Sequence, residues 1–173
     1  MKSTLRMNAV GLAATLVLGL GVGNARGQDL EFRAEIIETC LLTQSGEMRS
    51  ACVGIAANDC QTINDGGGTT VGMGFCYGRE GEWWDARLND ACSQLMKREQ
   101  ADDAEFAGMA SVPVKAPALR EMQRQWIAYR DSLCEYEAVQ WGGGTGAGPA
   151  YSACLMVETA RQYFVLSDRL ASE

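Results

Sequence analysis

Residues 117–170 read PALREMQRQWIAYRDSLCEYEAVQWGGGTGAGPAYSACLMVETARQYFVLSDRL, and they give the clearest indication of the fold class. Apolar residues recur at intervals of three and four on both sides of a glycine-rich segment, which predicts two amphipathic helices joined by a short loop. A short loop requires the two helices to lie nearly antiparallel. Cys134, about two turns before the loop, can then face Cys154, about one turn after it, and a disulfide there would lock the hairpin.

The same helical spacing extends through the preceding part of the chain, without the alternation that is typical of strands. A first helix is predicted around residues 30–41 and a second one over residues 47–60. A third, long helix begins near Val71, and we expect its polar end, residues 97–106, to be a solvated or frayed extension. The sequence therefore predicts an all-α fold, a small disulfide-stapled bundle of about five helices.

The first 27 residues have the three parts of a cleavable signal peptide. Lys2 and Arg6 form a basic start, and residues 9–23 form an apolar run. Ala25-Arg26-Gly27 follows, with small residues at the spacing that a signal peptidase recognises. The apolar run is shorter than the roughly 20 residues of a membrane span. We therefore expect cleavage, no stable membrane anchor, and a periplasmic or secreted protein.

The charge of the chain argues against nucleic acid as a partner. The chain has 22 acidic and 15 basic residues and a net charge of −7. Three of the basic residues, Lys2, Arg6 and Arg26, lie in the predicted signal peptide, so the mature chain would keep 12 basic residues and a net charge of −10. Such a surface repels nucleic acid and anionic lipid and attracts cationic partners. Acidity that only keeps an exported protein soluble is the alternative interpretation.

The chain has seven cysteines, all in the predicted mature part: Cys40, Cys52, Cys60, Cys76, Cys92, Cys134 and Cys154. In an oxidising compartment cysteines form disulfides with one another, and an odd number leaves at least one thiol free or bound to another chain. The chain has no histidine and no C-x-x-C motif, so we expect no metal site. The residues alone leave the pairing open.

Three patterns suggest catalytic or cofactor chemistry but lack its context. Residues 142–147 match G-x-G-x-x-A, but an amphipathic helix precedes them where a dinucleotide site needs a strand. Glu80, Glu82 and Asp85 cluster as carboxylates of a catalytic site do, although solvated helix faces commonly carry such clusters. A serine or cysteine nucleophile generally needs a base, and histidine is absent. We therefore expect a protein that is not an enzyme and binds no cofactor.

Asp85, Arg130 and Arg161 lie on or beside the apolar stripes of their predicted helices. A charge on a packed face needs a partner, because an isolated buried charge is costly. We therefore expect Asp85 to pair with Arg130 or Arg161 across the helix interface. The favoured role of this ion pair is structural rather than ligand binding.

Two groups of residues form a family pattern. The later group contains a W-x-x-Y-R-D-x-x-C motif, a G-G-T motif and a further cysteine, at residues 126–134, 143–145 and 154–159. The earlier group combines cysteines, acids and a Leu-Asn pair, at Cys60, Cys76, Glu80, Asp85, Leu88 and Asn89. Together they resemble the LprI-type domain, a family named for a lysozyme inhibitor, over about residues 60–170. The resemblance implies a helical LprI-like domain at residues 60–173, preceded by an added helical extension at residues 28–59.

The resemblance also implies the disulfide pairs Cys60–Cys76 and Cys134–Cys154, with Cys40–Cys52 as the third pair. Cys92 stands where the family usually has an aromatic residue, so we expect it to be the free thiol and to fill core space as a small apolar side chain. Gln162 stands where the family often has an arginine, with Arg161 one place earlier.

The function that the resemblance implies is that of an exported, non-enzymatic binding protein of the cell envelope, with a cationic protein such as c-type lysozyme as its partner. The negative charge of the mature chain would raise the rate of such an association. The predicted binding loop comprises Trp141, Gly143, Gly144, Thr145 and Tyr151. Two alternatives are a structural or assembly module for another envelope protein and a hydrolase of unknown type. The sequence does not indicate an oligomeric state.

Overall fold

The computed structural model describes residues 30–172 of the chain, and the predicted signal peptide lies outside the described residues. Within residues 30–172 the chain forms five α-helices, one 3₁₀ helix and no strand, which confirms the all-α fold class. The elements are α1 (Glu35–Thr43), the 3₁₀ helix (Gly46–Cys52), α2 (Ile55–Ile63), α3 (Thr70–Glu105), α4 (Lys115–Val139) and α5 (Ala147–Ala171). None of the described helices has a segment of the length and apolarity that a membrane span requires.

The segment predicted as one second helix, residues 47–60, forms two elements. The 3₁₀ helix ends at Cys52, and α2 begins at Ile55. Between them Gly54 has a φ of +89°, a left-handed conformation that glycine adopts without a steric penalty. The prediction is wrong because the helical spacing of apolar residues continues across a backbone position that interrupts the helix.

The turn between α2 and α3 depends on close backbone contacts. A Cβ atom on Gly67 would lie 2.6 Å from the Gln61 carbonyl oxygen, and one on Gly72 would lie 2.2 Å from the Gly66 carbonyl oxygen. Thr69 caps the start of α3, since its Oγ1 accepts a hydrogen bond from the Gly72 N–H (3.0 Å). The small size of these glycines lets α2 fold tightly back against α3.

The core lies mainly between α3 and α5, with α2 and α4 packed against this pair. Trp84 of α3 is fully buried at its centre. Around Trp84 pack the other buried members of the first core cluster: Ile37, Ala56, Ala57, Cys60, Cys76, Met156 and Ala160. A second cluster is built from Leu88, Ala91, Leu95, Leu119 and Leu166. Because Ile37 of α1 belongs to the first cluster, the predicted N-terminal extension shares the core of the bundle.

Three disulfide bonds connect elements that follow one another in the chain. They are Cys40–Cys52, Cys60–Cys76 and Cys134–Cys154, with Cα–Cα distances of 5.7, 5.7 and 5.3 Å. These are the pairs that the resemblance implies. Cys92 is the free cysteine of the described chain, and it lies half-buried against the second core cluster.

Candidate functional site

The glycine loop after α4 has a conformation that favours glycine at two positions. Gly142 and Gly143 have φ values of +56° and +82°, in the left-handed region that other residues avoid. The Gly142 N–H donates to the Val139 carbonyl oxygen (3.1 Å), and the Gly144 N–H donates to the Trp141 carbonyl oxygen (2.8 Å). The first bond satisfies the carbonyl group of the last residue of α4, which has no partner within the helix, and the second lies within the loop. The loop is therefore closed by its own backbone.

Trp141 folds back over this loop. A Cβ atom on Gly146 would lie 2.2 Å from Cε3 of the Trp141 ring, so only glycine leaves room for the ring in this position. Trp141 is still 56% exposed. It borders a cavity of about 310 Å³ that also touches α3 and α5. The loop therefore presents a large aromatic side chain in a defined position.

The residues predicted to form the binding loop are only partly brought together. Trp141 and Thr145 line the cavity beside the loop. Gly143 and Gly144 are exposed in the loop but are not part of the cavity wall. Tyr151 lies half-buried on the first turns of α5, also outside that wall.

A second cavity lies between α3, α4 and α5, and we call it the interhelical groove. Its volume is about 430 Å³. Tyr77 lines both this groove and the cavity beside the loop, so the two are adjacent. The polar residues of the groove are Tyr77, Glu82, Asp85, Arg130, Ser152 and Thr159.

Asp85 and Arg130 share this groove but do not form the predicted ion pair. Asp85 accepts a hydrogen bond from Asn89 Nδ2 (2.8 Å). Arg130 donates from Nε and Nη2 to Asp131 Oδ1 (2.9 and 2.7 Å), and its guanidinium lies 5.0 Å from the Trp126 ring centroid. The prediction is wrong because Asp85 is exposed, and a solvated carboxylate does not need a cationic partner.

Arg161 does not provide the alternative partner for Asp85. It is exposed and pairs with Glu158, three residues earlier in α5. Gln162, at the position where the family often has an arginine, is buried and donates a hydrogen bond to Gln123 Oε1 of α4. The side-chain amides of Gln123 and Gln162 therefore connect α4 and α5.

Glu80, a member of the acidic cluster, is fully buried and caps α2. Its Oε1 accepts hydrogen bonds from the Gly54 N–H (2.6 Å) and from Trp84 Nε1 (3.0 Å), and its Oε2 accepts one from the Ala57 N–H (2.7 Å). Gly54 is the N-cap residue of α2 and Ala57 lies in its first turn, where N–H groups have no acceptor within their own helix. Because Glu80 is enclosed and fully bonded, it does not share an open site with Asp85. This arrangement counts against the hydrolase alternative.

Residues 60–166 match the model of the family described as Lysozyme inhibitor LprI. The chain belongs to this family. A relative among curated proteins is the uncharacterized protein R02472 of Rhizobium meliloti (strain 1021), which is 29% identical over 101 residues, 58% of this chain and 73% of that protein. No solved structure matches the chain significantly. The LprI match includes both the groove and the loop, and it leaves α1 and the 3₁₀ helix outside.

The apolar spacing of this LprI chain does not indicate the groove, although α3 contains a usable signal. Gly74, Gly78 and Gly81 lie within a helix, where each glycine costs about 1 kcal/mol relative to alanine. A Cβ atom on Gly81 would contact Met156 Cα of α5 at 3.6 Å, whereas one on Gly78 would meet nothing within 4 Å. Gly81 thus lies at ordinary contact distance from α5, and Gly78 leaves open space in the groove.

The described residues contain no group of three or more His, Cys, Asp or Glu side chains that could hold a metal ion. Residues 30–172 of this LprI protein form two adjacent concave surfaces. One carries an exposed indole, and the other carries hydroxyl groups and carboxylates. Such surfaces bind a partner through shape, hydrogen bonds and charge.

Proposed function

We propose that this protein is an exported, non-enzymatic binding protein of the cell envelope that inhibits a c-type lysozyme. The observation that carries the proposal is the match of residues 60–166 to a family described by lysozyme inhibition. The three disulfides support a location in an oxidising compartment, the periplasm or the cell exterior, where lysozyme would be encountered.

The charge of the protein supports a cationic partner. The predicted mature chain carries a net charge of −10, counted from the sequence after removal of residues 1–27. Attraction between surfaces of opposite charge accelerates their encounter and orients them before contact. This long-range attraction favours a basic enzyme over a neutral or acidic one.

The surface that we assign to the interaction is the loop with Trp141 and the adjacent groove. An exposed tryptophan that is already held in place loses little conformational freedom when it becomes buried in a complex. Aromatic residues of this kind often dominate the binding energy of protein interfaces. The packing of Trp141 over Gly146 therefore supports the loop as the contact point.

A lysis assay tests the proposal directly. We expect the oxidised, signal-cleaved protein to inhibit bacterial cell lysis by a c-type lysozyme, and the variant Trp141→Ala to inhibit about tenfold less strongly. Tyr136→Ala is a matched control, because Tyr136 is another exposed aromatic residue, on α4, and lines neither the groove nor the loop cavity. Undiminished lysis at a clear molar excess of the wild-type protein would refute the proposal.

One observation favours the alternative of a structural or assembly module. Tyr129, Tyr136 and Val139 of α4 are 58%, 61% and 65% exposed, and their spacing of seven and three residues places them on neighbouring parts of one helix face. An apolar and aromatic surface of this kind can bind another envelope protein. The alternative predicts that an envelope protein co-purifies with the wild type but not with Tyr129→Ala, and that lysozyme activity is unaffected.

A further inference from the structure

We infer that the interhelical groove binds one lysine or arginine side chain of the partner protein. The inference deepens the proposed function, because it names the chemistry by which the partner would be held. It rests on three observations among residues 30–172: an acidic group without a cationic partner, hydroxyl groups without hydrogen-bond partners, and open space at Gly78.

Asp85 provides the charge. Among residues 30–172 it forms no ion pair, and Asn89 is its hydrogen-bond donor. The other charged groups of the groove are already compensated, since Glu82 pairs with Arg79 (2.5 Å) and Arg130 pairs with Asp131 (2.7 Å). The uncompensated charge at the groove is therefore negative, which favours a cationic ligand over an anionic one.

The hydroxyl groups of Tyr77, Ser152 and Thr159 provide acceptors. None of the three forms a hydrogen bond with another residue in the described part of the chain, although all line the groove. Thr159 is the most enclosed of them, with only 3% of its surface exposed, and its hydroxyl oxygen is not fully buried. A group bound in the groove can therefore reach this oxygen and form a hydrogen bond with it. An ammonium or guanidinium group carries several donors that can serve these oxygens together with Asp85.

The remaining wall of the groove fits the aliphatic part of a basic side chain. Gly78, Ala86 and Leu155 contribute carbon surface and little bulk. Lysine and arginine have an apolar stem and a charged end, and they favour sites that cover the stem while binding the end. Because a Cβ atom on Gly78 would meet nothing within 4 Å, the structure leaves room for such a stem.

The inference is tested without lysozyme by using blocked amino acids as probes. N-acetylargininamide and N-acetyllysinamide should shift the amide NMR signals of Gly78, Ser152 and Thr159, with a Kd on the order of millimolar, as expected of a ligand of one side chain. N-acetylcitrullinamide has the shape of the arginine probe without its charge and should bind about tenfold more weakly. The absence of shifts at these residues with both cationic probes would overturn the inference.

Two pairs of variants test whether binding of the probes depends on the groove. Asp85→Asn should weaken binding of the probes about tenfold. Asp90→Asn should leave probe binding unchanged. It is a matched control because Asp90 is also exposed on α3 and accepts a hydrogen bond from the residue four positions later, Gln94. Gly78→Leu should block the groove, whereas Gly74→Leu, at another open position of α3, should not. Equal binding by the wild type and Asp85→Asn would overturn the inference, and circular dichroism establishes that each variant is folded.

The same variants in the lysis assay distinguish the inference from the proposed function. If the wild type inhibits lysozyme and Asp85→Asn and Gly78→Leu inhibit equally well, the inference fails and the proposed function stands. If the cationic probes bind the groove but lysozyme is not inhibited, the inference stands and the partner is a different basic protein. Loss of inhibition in both groove variants, with their controls unaffected, supports both.

Discussion

Glu80 places a carboxylate in the core, where an isolated charge would be costly. Its cost is offset by three N–H donors, two of them from the N-cap and the first turn of α2. The positive end of the helix dipole lies at the same place and favours an anion. Gly54, the N-cap of α2, has no side chain that could cap the helix itself. One residue of α3 thus satisfies the backbone of another helix.

Replacing Glu80 by glutamine should destabilise the fold by about 2–4 kcal/mol, because the amide nitrogen would face an N–H donor and leave buried groups unsatisfied. The free energy of unfolding, from urea denaturation with the disulfides intact, measures the effect. Glu82→Gln is the control: its side chain is 67% exposed, and surface substitutions change stability by less than about 0.5 kcal/mol. A Glu80→Gln variant as stable as this control would refute the capping role.

The start of α4 is capped in the same way as the start of α2, by a carboxylate of α3. Its N-cap, Val114, makes no capping hydrogen bond, and Asp103 of α3 accepts hydrogen bonds from the N–H groups of Lys115 (2.7 Å) and Ala116 (2.9 Å). Lys115 also pairs with Asp102 (2.7 Å). The polar end of α3, expected to be solvated or frayed, is helical to Glu105 and anchors the start of α4. Two helices of the bundle are therefore capped by carboxylates of a third.

The cap at α4 should make stability depend on pH. The backbone hydrogen bonds from Lys115 and Ala116 lower the pKa of Asp103 below its ordinary value of 3.8. A carboxylate with a lowered pKa stabilises the folded state above its ordinary pKa, and this contribution is lost as the pH falls through the lowered pKa. We expect Asp103→Asn to unfold at lower urea concentration than the wild type near pH 6, and the difference to shrink below about pH 4. A difference that stays constant over this range would contradict the assignment.

The disulfide Cys134–Cys154 compensates for the small buried surface of α4. Three residues of this helix are buried: Ala116, Leu119 and Cys134. The bond joins cysteines 20 positions apart across the glycine loop, and cross-links over loops of this size contribute about 3 kcal/mol. The hairpin of α4 and α5 thus depends on a covalent bond as well as on packing.

Replacing both Cys134 and Cys154 by alanine should therefore lower the free energy of unfolding by about 2–4 kcal/mol. Thermal or urea denaturation measures this change. Cys92→Ala is the control, because it removes a half-buried thiol without removing a cross-link, and it should cost about 1 kcal/mol or less. If the double variant were as stable as this control, the packing of α4 would suffice without the bond.

At the scale of the whole molecule, the proposed function gives the net charge the role of guiding the approach of the partner, and the groove and the loop the role of holding it. At physiological ionic strength the attraction between charges is screened beyond about 8 Å. Inhibition of lysozyme by the wild type should therefore weaken as sodium chloride is raised, mainly through a slower association rate. Lysis assays over a series of salt concentrations measure this, and inhibition that is independent of salt would argue against charge-guided binding.

The helical class follows from the sequence, because the spacing of apolar residues within each helix is a local property. The family follows from it as well, because the W-x-x-Y-R-D-x-x-C and G-G-T motifs are contiguous. Tertiary structure alone decided the role of Glu80, the absence of the Asp85–Arg130 pair and the existence of the groove. These features depend on atoms of different elements of the fold, such as the Gly54 N–H that binds Glu80. Their distances depend on how the helices pack, which local spacing does not specify.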